Sequence, residues 1–305
     1  GNYWSYRSAV NYQGVYNFDL DNSLAFGVEG EWNETDLEEH AGGGSKNKDD
    51  RNSAEIFSQF IDYQSRITKN LYATIGLRFD DHSMAGNEDS ERITLAYLFD
   101  DKNTKLKTTY GTGIKFPSLY EFYTKDTAVG NGDLVAETGE SFDIGIEKFF
   151  PSVGLNLDLT YFNHSYQNTI EGWKTSNWAA RNRPGKVRSQ GIELISKFKL
   201  NEILNFDLNY TYNSTYDGAD FDDPDMGPNS QGLFTNEQLA RVPRHLINLD
   251  TRVTLSDAFN LSFQSKWSDS ARDYNNINVG QSSGDKKLSP YMVNDLSANY
   301  NVGSD

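Results

Sequence analysis

The chain has 305 residues, a formal net charge of −16, a pI near 4.7 and no Cys. Without Cys it has neither disulfides nor Cys-based metal sites, and its acidic balance argues against nucleic acid, whose phosphates require basic surface. A mean hydropathy of −0.69 and no apolar run near the roughly 18 residues of a spanning helix exclude a helical membrane protein, but not a membrane β-barrel, whose strands meet lipid at every second residue.

The chain opens on "GNYWSYRSAV", in which no signal peptide is visible, and is expected to be either a mature piece or a fragment. From there the periodicity is close to two. In "LYATIGLRFD", Leu71, Ala73, Ile75, Leu77 and Phe79 share one face, and Tyr72, Thr74, Gly76, Arg78 and Asp80 the other. "VGLNLDLTY", "NFDLNYTYN" and "LINLDTRVTL" alternate in the same way. The pattern predicts thirteen strands, at 3–18, 23–35, 53–67, 70–81, 91–100, 104–114, 140–150, 153–172, 178–200, 203–216, 243–255, 258–271 and 288–302. The faces of 53–67 do not separate cleanly. Most of these runs exceed the five or six residues usual in soluble sheets.

The predicted connections alternate in length. "DLDNS", "ITKNL", "DDKNT", "FPSV", "LNEIL" and "SDAF" are tight turns. Between them lie longer links, including "DHSMAGNEDSE", the 116–136 stretch and "DGADFDDPDMGPNSQGLFTNEQLARVP", with only "KTSN" short. In an up-and-down sheet every second connection lies at the same end. One rim therefore has short turns and the other long loops, the asymmetry of an outer-membrane barrel. The expected fold is all-β, an antiparallel up-and-down transmembrane β-barrel whose apolar face meets lipid. Arg78, Asp80, Asp158, Asp207, Asp250 and Arg252 are then expected to face inward.

"YGTGIKFPSLYEFY" followed by "GNGDLVAETGESFDIGIE" resembles a paired signature of TonB-dependent outer-membrane receptors. Gly113, Lys115, Pro117, Ser118, Leu119, Tyr120, Glu121 and Tyr123 match its first part. Gly130, Asn131, Leu134, Glu137, Ser141, Gly145 and Glu147 match its second. Phe116 stands where the family has Ala, and Gly132 and Ala136 replace two prolines. Asn182, Gly185, Gly191, Ile192 and Glu193, then Pro243 and His245, continue the resemblance in the family's order.

The resemblance implies about thirteen strands of a twenty-two-stranded barrel. The plug domain, the TonB box and the last two strands are expected to lie outside residues 1–305. It also implies an outer-membrane receptor that imports a scarce nutrient with energy from the TonB complex. Cobalamin and ferric siderophores are the expected cargo, with the strand plan leaning to cobalamin. Haem is less favoured, because residues 116–139 contain no His to ligate iron. A passive porin-type channel and a soluble carbohydrate-binding β protein are the alternatives.

On this reading the external loops bind substrate. Lys115 and Lys125 would attract an anionic ligand, and Asn131 sits in the second loop of the signature. Tyr120, Phe122 and Tyr123 are candidates either to stack on a flat ligand or to pack the loop against the barrel wall. Asp217, Asp220, Asp222, Asp223 and Asp225 put hard oxygen ligands in one loop at a density that suits calcium, though not at EF-hand spacing. A solvated acidic loop is the other reading, and no further cofactor is expected. The four His lack partners at catalytic spacing, and no Gly-x-Ser-x-Gly or Walker motif occurs, so no enzymatic activity is expected.

Overall fold

The computed structural model describes residues 2–38, 50–123, 130–171, 180–183, 185–219, 238–273 and 286–302. The strands are β1 (Asn2–Asn17), β2 (Asn22–Glu38), β3 (Asp50–Arg66), β4 (Leu71–His82), β5 (Gly86–Leu98) and β6 (Thr104–Lys115). A short helix α1 (Leu119–Tyr123) follows, then β7 (Glu137–Phe150), β8 (Leu155–Gln167), β9 (Ile170–Glu171) and β10 (Arg181–Asn182). The chain continues through β11 (Gly185–Lys199), β12 (Leu204–Ala219), β13 (His245–Ser256), β14 (Phe259–Ser268), β15 (Ala271–Asp273), β16 (Lys286–Leu288) and β17 (Tyr291–Tyr300).

Thirteen strands form one antiparallel sheet in the order β1-β2-β3-β4-β5-β6-β7-β8-β11-β12-β13-β14-β17. The pairs β9–β10 and β15–β16 are separate two-stranded ladders. Within the described residues β1 and β17 are edges. Every position from Tyr291 to Tyr300 is exposed, because an edge strand with neither face covered buries little.

Register carries the alternation across the sheet. Leu71, Tyr97, Leu106, Ile146, Leu159, Leu194, Tyr210, Ile247, Trp267 and Met292 pair in sequence along one continuous row. Directly paired residues of antiparallel strands share a face, so this row is a belt of apolar side chains. The next row turns to the opposite face and carries Lys105, Glu147, Asp158, Asn209, Asn248 and Lys266, with Ile195 among them. On β4, Leu77 is 50% exposed while Asp80 on the other face is 3% exposed. Arg78, Asp80, Asp158, Asp207, Asp250 and Arg252 all fall on the polar face, as the periodicity predicts.

The tight turns have a side-chain cause. Asp19 accepts from the Asp21 amide, Thr68 from Asn70 and Leu71, Asp101 from Asn103 and Thr104, and Asn201 from Ile203 and Leu204. Short polar side chains that bind the backbone two or three residues ahead close such turns. Asp101 also takes a hydrogen bond from Lys148 at 2.6 Å. That bond, with those from Thr104 and Asn103, holds its carboxyl well below the usual carboxylate range.

Three expectations need correction. "DHSMAGNEDSE" is not a long loop: β4 and β5 run on to His82 and Gly86, and only 83–85 turn. Its charged residues stay in the ladder because both faces of a hairpin beyond the bilayer can be wetted. The strands expected at 153–172 and 178–200 end and begin at Gln167 and Gly185, with β9 and β10 inside the long link between them. That link is therefore long; "KTSN" itself, residues 174–177, lies outside the described residues.

Gly191 tests the closeness of the strands. A Cβ there would lie 1.8 Å from the Tyr212 carbonyl oxygen and 2.7 Å from the Phe162 ring. Gly191→Ala is expected to cost more than about 3 kcal/mol in urea unfolding of the parent receptor in lipid vesicles. Gly113→Ala, where a Cβ meets nothing within 4 Å, is expected to change stability by less than about 0.5 kcal/mol. The facing has its own test, since the chain holds no Cys. In vesicles a water-soluble maleimide should label Arg78→Cys and leave Leu77→Cys unmodified; the reverse result would invert the faces.

Candidate functional site

The rim opposite the Asx-closed turns is where the elaborate connections gather. The 116–136 link starts with a helix that its sequence specifies. Ser118 Oγ accepts from the Glu121 amide at 3.3 Å, and Glu121 Oε2 accepts from the Ser118 amide at 2.7 Å. This is a capping box, with Pro117 just outside it. It places Leu119 and Phe122 on the inner side of α1, where both are buried.

Phe122 packs with Leu134 and Ala180, and Met84, Ala85, Tyr123 and Ile170 close around them. Three connections therefore share one apolar cluster: the 83–85 turn, the 116–136 loop and the 168–184 link. His82 anchors it from below. It is 4% exposed, and its ring lies 4.6 Å from Phe116 and 6.1 Å from Phe122. Its Nδ1 accepts from the Met84 and Ala85 amides at 3.2 and 3.1 Å, so the neutral ring carries its proton on Nε2. Burial lowers its pKa in the same direction. Because His82 follows Arg78 and Asp80 on the polar face of β4, the loop folds inward over the mouth.

Two asparagines lock the loops together. Asn131 Nδ2 donates to the Ala180 carbonyl at 2.9 Å, its Oδ1 accepts from the Asp133 amide at 3.0 Å, and its own amide donates to the Glu121 carbonyl at 2.9 Å. Asn182 accepts from the Val135 amide at 2.9 Å and donates to the carbonyls of Val135 and Asn168 at 2.9 and 2.7 Å. Asn168 adopts a left-handed φ of 55°, a conformation that Asn tolerates. Glu137 accepts from the Ile170 amide at 3.0 Å and from Lys115 Nζ at 2.8 Å. That hydrogen bond raises the Lys115 pKa, and the pair joins β6 to β7 while the Lys115 side chain stays 63% exposed.

The candidate residues separate accordingly. Lys115 and Asn131 serve the scaffold. Phe122, 4% exposed, packs the loop rather than facing the mouth. Tyr123 is half-buried and donates its hydroxyl to Met84 Sδ at 3.2 Å. Tyr120, 42% exposed, is the ring of the three that presents itself to solvent. Lys125 lies outside the described residues, as do Asp220, Asp222, Asp223 and Asp225 and the side chain of Asp217 at the end of β12. Among the described residues no group of three His, Asp or Glu is placed to hold a metal. His82, Met84 and Ala180 enter the assembly with no signal in the local sequence, since none of them belongs to the 116–136 link.

The assembly makes a distinct pair of outcomes measurable. Asn182→Ala removes two hydrogen bonds between the links and one within the 168–184 link, and is expected to speed proteolytic cleavage of the 116–136 loop in the folded receptor several-fold. Tyr120→Ala should leave that cleavage unchanged, because its ring lies outside the cluster.

A family model described as "TonB dependent receptor-like, beta-barrel" matches residues 1–305. The ferric enterobactin receptor of Pseudomonas aeruginosa is 27% identical over 291 residues, which are 84% of this chain and 37% of that receptor. The vitamin B12 transporter of Vibrio cholerae is 28% identical over 122 residues, 40% of this chain and 19% of that protein. A crystal structure of a point mutant of the Pseudomonas aeruginosa receptor superposes with a TM-score of 0.76 at 23% identity, covering 98% of this chain and 47% of that one. The chain thus spans less than half the length of each of these three proteins.

Proposed function

Because the chain belongs to the TonB-dependent receptor β-barrel family, whose members are barrels of the bacterial outer membrane, we propose that it forms wall and rim of a receptor importing a ferric siderophore. The observation that carries this is the union of two features in one sheet. The apolar belt suits a bilayer, and the polar face leads to a mouth over which the described parts of the 116–136 loop are folded and locked by hydrogen bonds. A passive channel has no need of such a cover, whereas a receptor needs rigid external loops to present ligand contacts.

The extent of the similarities supports the choice of substrate class. The relative named for ferric enterobactin aligns over 84% of the chain, against 40% for the vitamin B12 transporter. This favours a siderophore over the cobalamin that the strand plan suggests. On this reading Tyr120 is the ring that meets the ligand, and the TonB complex supplies energy through a domain outside these residues. The chemistry is binding and translocation, in keeping with relatives that are receptors and transporters.

Uptake by the full-length parent protein decides between these readings. In a host lacking its own siderophore and cobalamin receptors, the gene should restore uptake of radiolabelled ferric enterobactin and not of cyanocobalamin. Deleting TonB should abolish that uptake. Uptake persisting without TonB would indicate a passive channel, and restored cobalamin uptake alone would return the assignment to cobalamin.

A further inference from the structure

His82 occupies the last position of β4, in the row Glu31, Ile56, His82 of the polar face. Phe116 lies over its ring, and α1 lies against β2 and β3. Its Nδ1 is the acceptor that closes the 83–85 turn, for both the Met84 and the Ala85 amides donate to it. Those two residues in turn hold the loop. Met84 and Ala85 pack on the cluster of Phe122, Leu134 and Ala180, and Met84 Sδ takes the Tyr123 hydroxyl. One acceptor atom on the wall therefore shapes the turn on which α1 rests.

The charged groups around the ring come from every neighbouring element. Glu31 of β2 shares its row and Asp81 adjoins it on β4, and both carboxylates favour a charged ring. Arg7 of β1 pairs with Glu31 at 2.5 Å. In the next row toward the turn end stand Glu29 of β2, Asp80 of β4 and Glu88 of β5. Asp80 is taken by Ser58 and by Arg78, which also reaches Glu29. On this face β3 presents Ala54, Ile56 and Ser58. On α1, Glu121 is bound back onto Ser118 by the capping box. Burial outweighs the two carboxylates and favours the neutral ring.

We propose that His82 is a proton-operated latch of the rim: when Nδ1 takes a proton, the 83–85 turn opens and the 116–136 loop comes away from the wall. A protonated imidazole has two donors and no acceptor. Its Nδ1–H then confronts the Met84 and Ala85 amides, and three N–H groups meet with no lone pair among them, in a site that is 4% exposed. Buried donors without an acceptor are costly. Contact of the charged ring with Phe116 offsets part of that cost but supplies no acceptor.

The sign follows from linkage. In the closed rim burial holds the ring below its ordinary value of 6.5, whereas a ring released to water titrates near 6.5. Across that interval the open rim binds more protons than the closed one, so closure weakens as the pH falls through it. Below the closed-state value the loss is complete. Tyr120, carried on α1, moves with the loop. Any bearing on ligand capture rests on the receptor reading above; the opening itself is measured without ligand.

The test uses the full-length receptor in lipid vesicles, with Tyr120→Cys as its one thiol carrying a nitroxide. Its electron spin resonance line reports α1 mobility. Between pH 7.5 and 5.0 the mobile fraction should rise several-fold and reversibly, with a midpoint below 6.5. His82→Asn keeps an acceptor near the Nδ1 position and does not titrate, so its line should stay immobile throughout. Glu31→Gln removes a carboxylate that favours the charged ring and should move the midpoint to lower pH. That variant keeps His82 in place and decides the matter where His82→Asn fails to fold. A parent line unchanged down to pH 5.0 would overturn the proposal. So would a His82→Asn line that titrates like the parent's, or a midpoint that Glu31→Gln leaves unmoved, since another group would then sense the proton.

Discussion

A backbone that crosses hydrocarbon must satisfy its own amides and carbonyls. In this chain the thirteen-stranded ladder does so, and the other features follow from it. Once each strand is paired on both sides, the facing of one residue dictates the facing of the row, from Leu71 through Leu159 to Met292. A slip of one residue would turn Leu194 to the polar face and Ile195 to lipid, and would do the same to every pair along that strand. Register is held from the turn end, where Asp19, Thr68, Asp101 and Asn201 fix the length of their hairpins. The opposite ends are then free to vary, because nothing there is required to keep the rows aligned.

The polar face meets a different demand: it must be wettable without being loose. Its charges are tied sideways, across strands. Asp62 on β3 reaches Arg92 on β5 at 3.0 Å, and Gly76 of the intervening β4 leaves the path clear; a Cβ there would come within 3.0 Å of Asp62 Oδ2. Lys107 on β6 pairs with Asp158 on β8 above Gly145, whose missing Cβ would lie 2.9 Å from Lys107 Cε. On β2 to β4 the middle residue is Ser58, which donates to Asp80 at 2.5 Å while Arg78 joins Asp80 and Glu29. Each exposed pair contributes little alone. Together they add to the packing of Phe60 and Phe162, whose rings lie over Gly27 and Gly191 on the same face.

How much of this was legible depended on whether the deciding neighbours were local. Strand facing was, because period two is a property of a single segment: "LYATIGLRFD" states its faces without reference to the rest of the chain. The β4–β5 connection was misread because Asp, Glu, Asn and Gly are turn residues inside a compact domain, whereas here they extend a hairpin with water on both sides. The ends of β8 and β11 were overrun because Ile170–Glu171 and Arg181–Asn182 do form strand, in a ladder of their own. Phe122 looked alike in both of its readings, and only Leu134 and Ala180, 12 and 58 residues away in number, decide that it is packing. No local pattern announces His82 as the floor of that cluster. The Asp-rich run from Asp220 to Asp225 lies outside the described residues.

The same cluster explains why family and cargo come apart. The residues that carry the resemblance are Pro117, Ser118, Leu119, Glu121, Asn131, Leu134, Glu137 and Asn182. In the structure most of them cap α1, fill the buried cluster or bridge the two long links. A polar side chain already engaged at both ends is costly to leave unpaired, so it cannot be traded for a ligand contact without loosening the rim. Such residues report the scaffold and are indifferent to what it carries. In the described part of this loop the exposed ring is Tyr120, at 42%. Exposed positions of this loop can therefore change while the hydrogen-bonded rim beneath them stays the same.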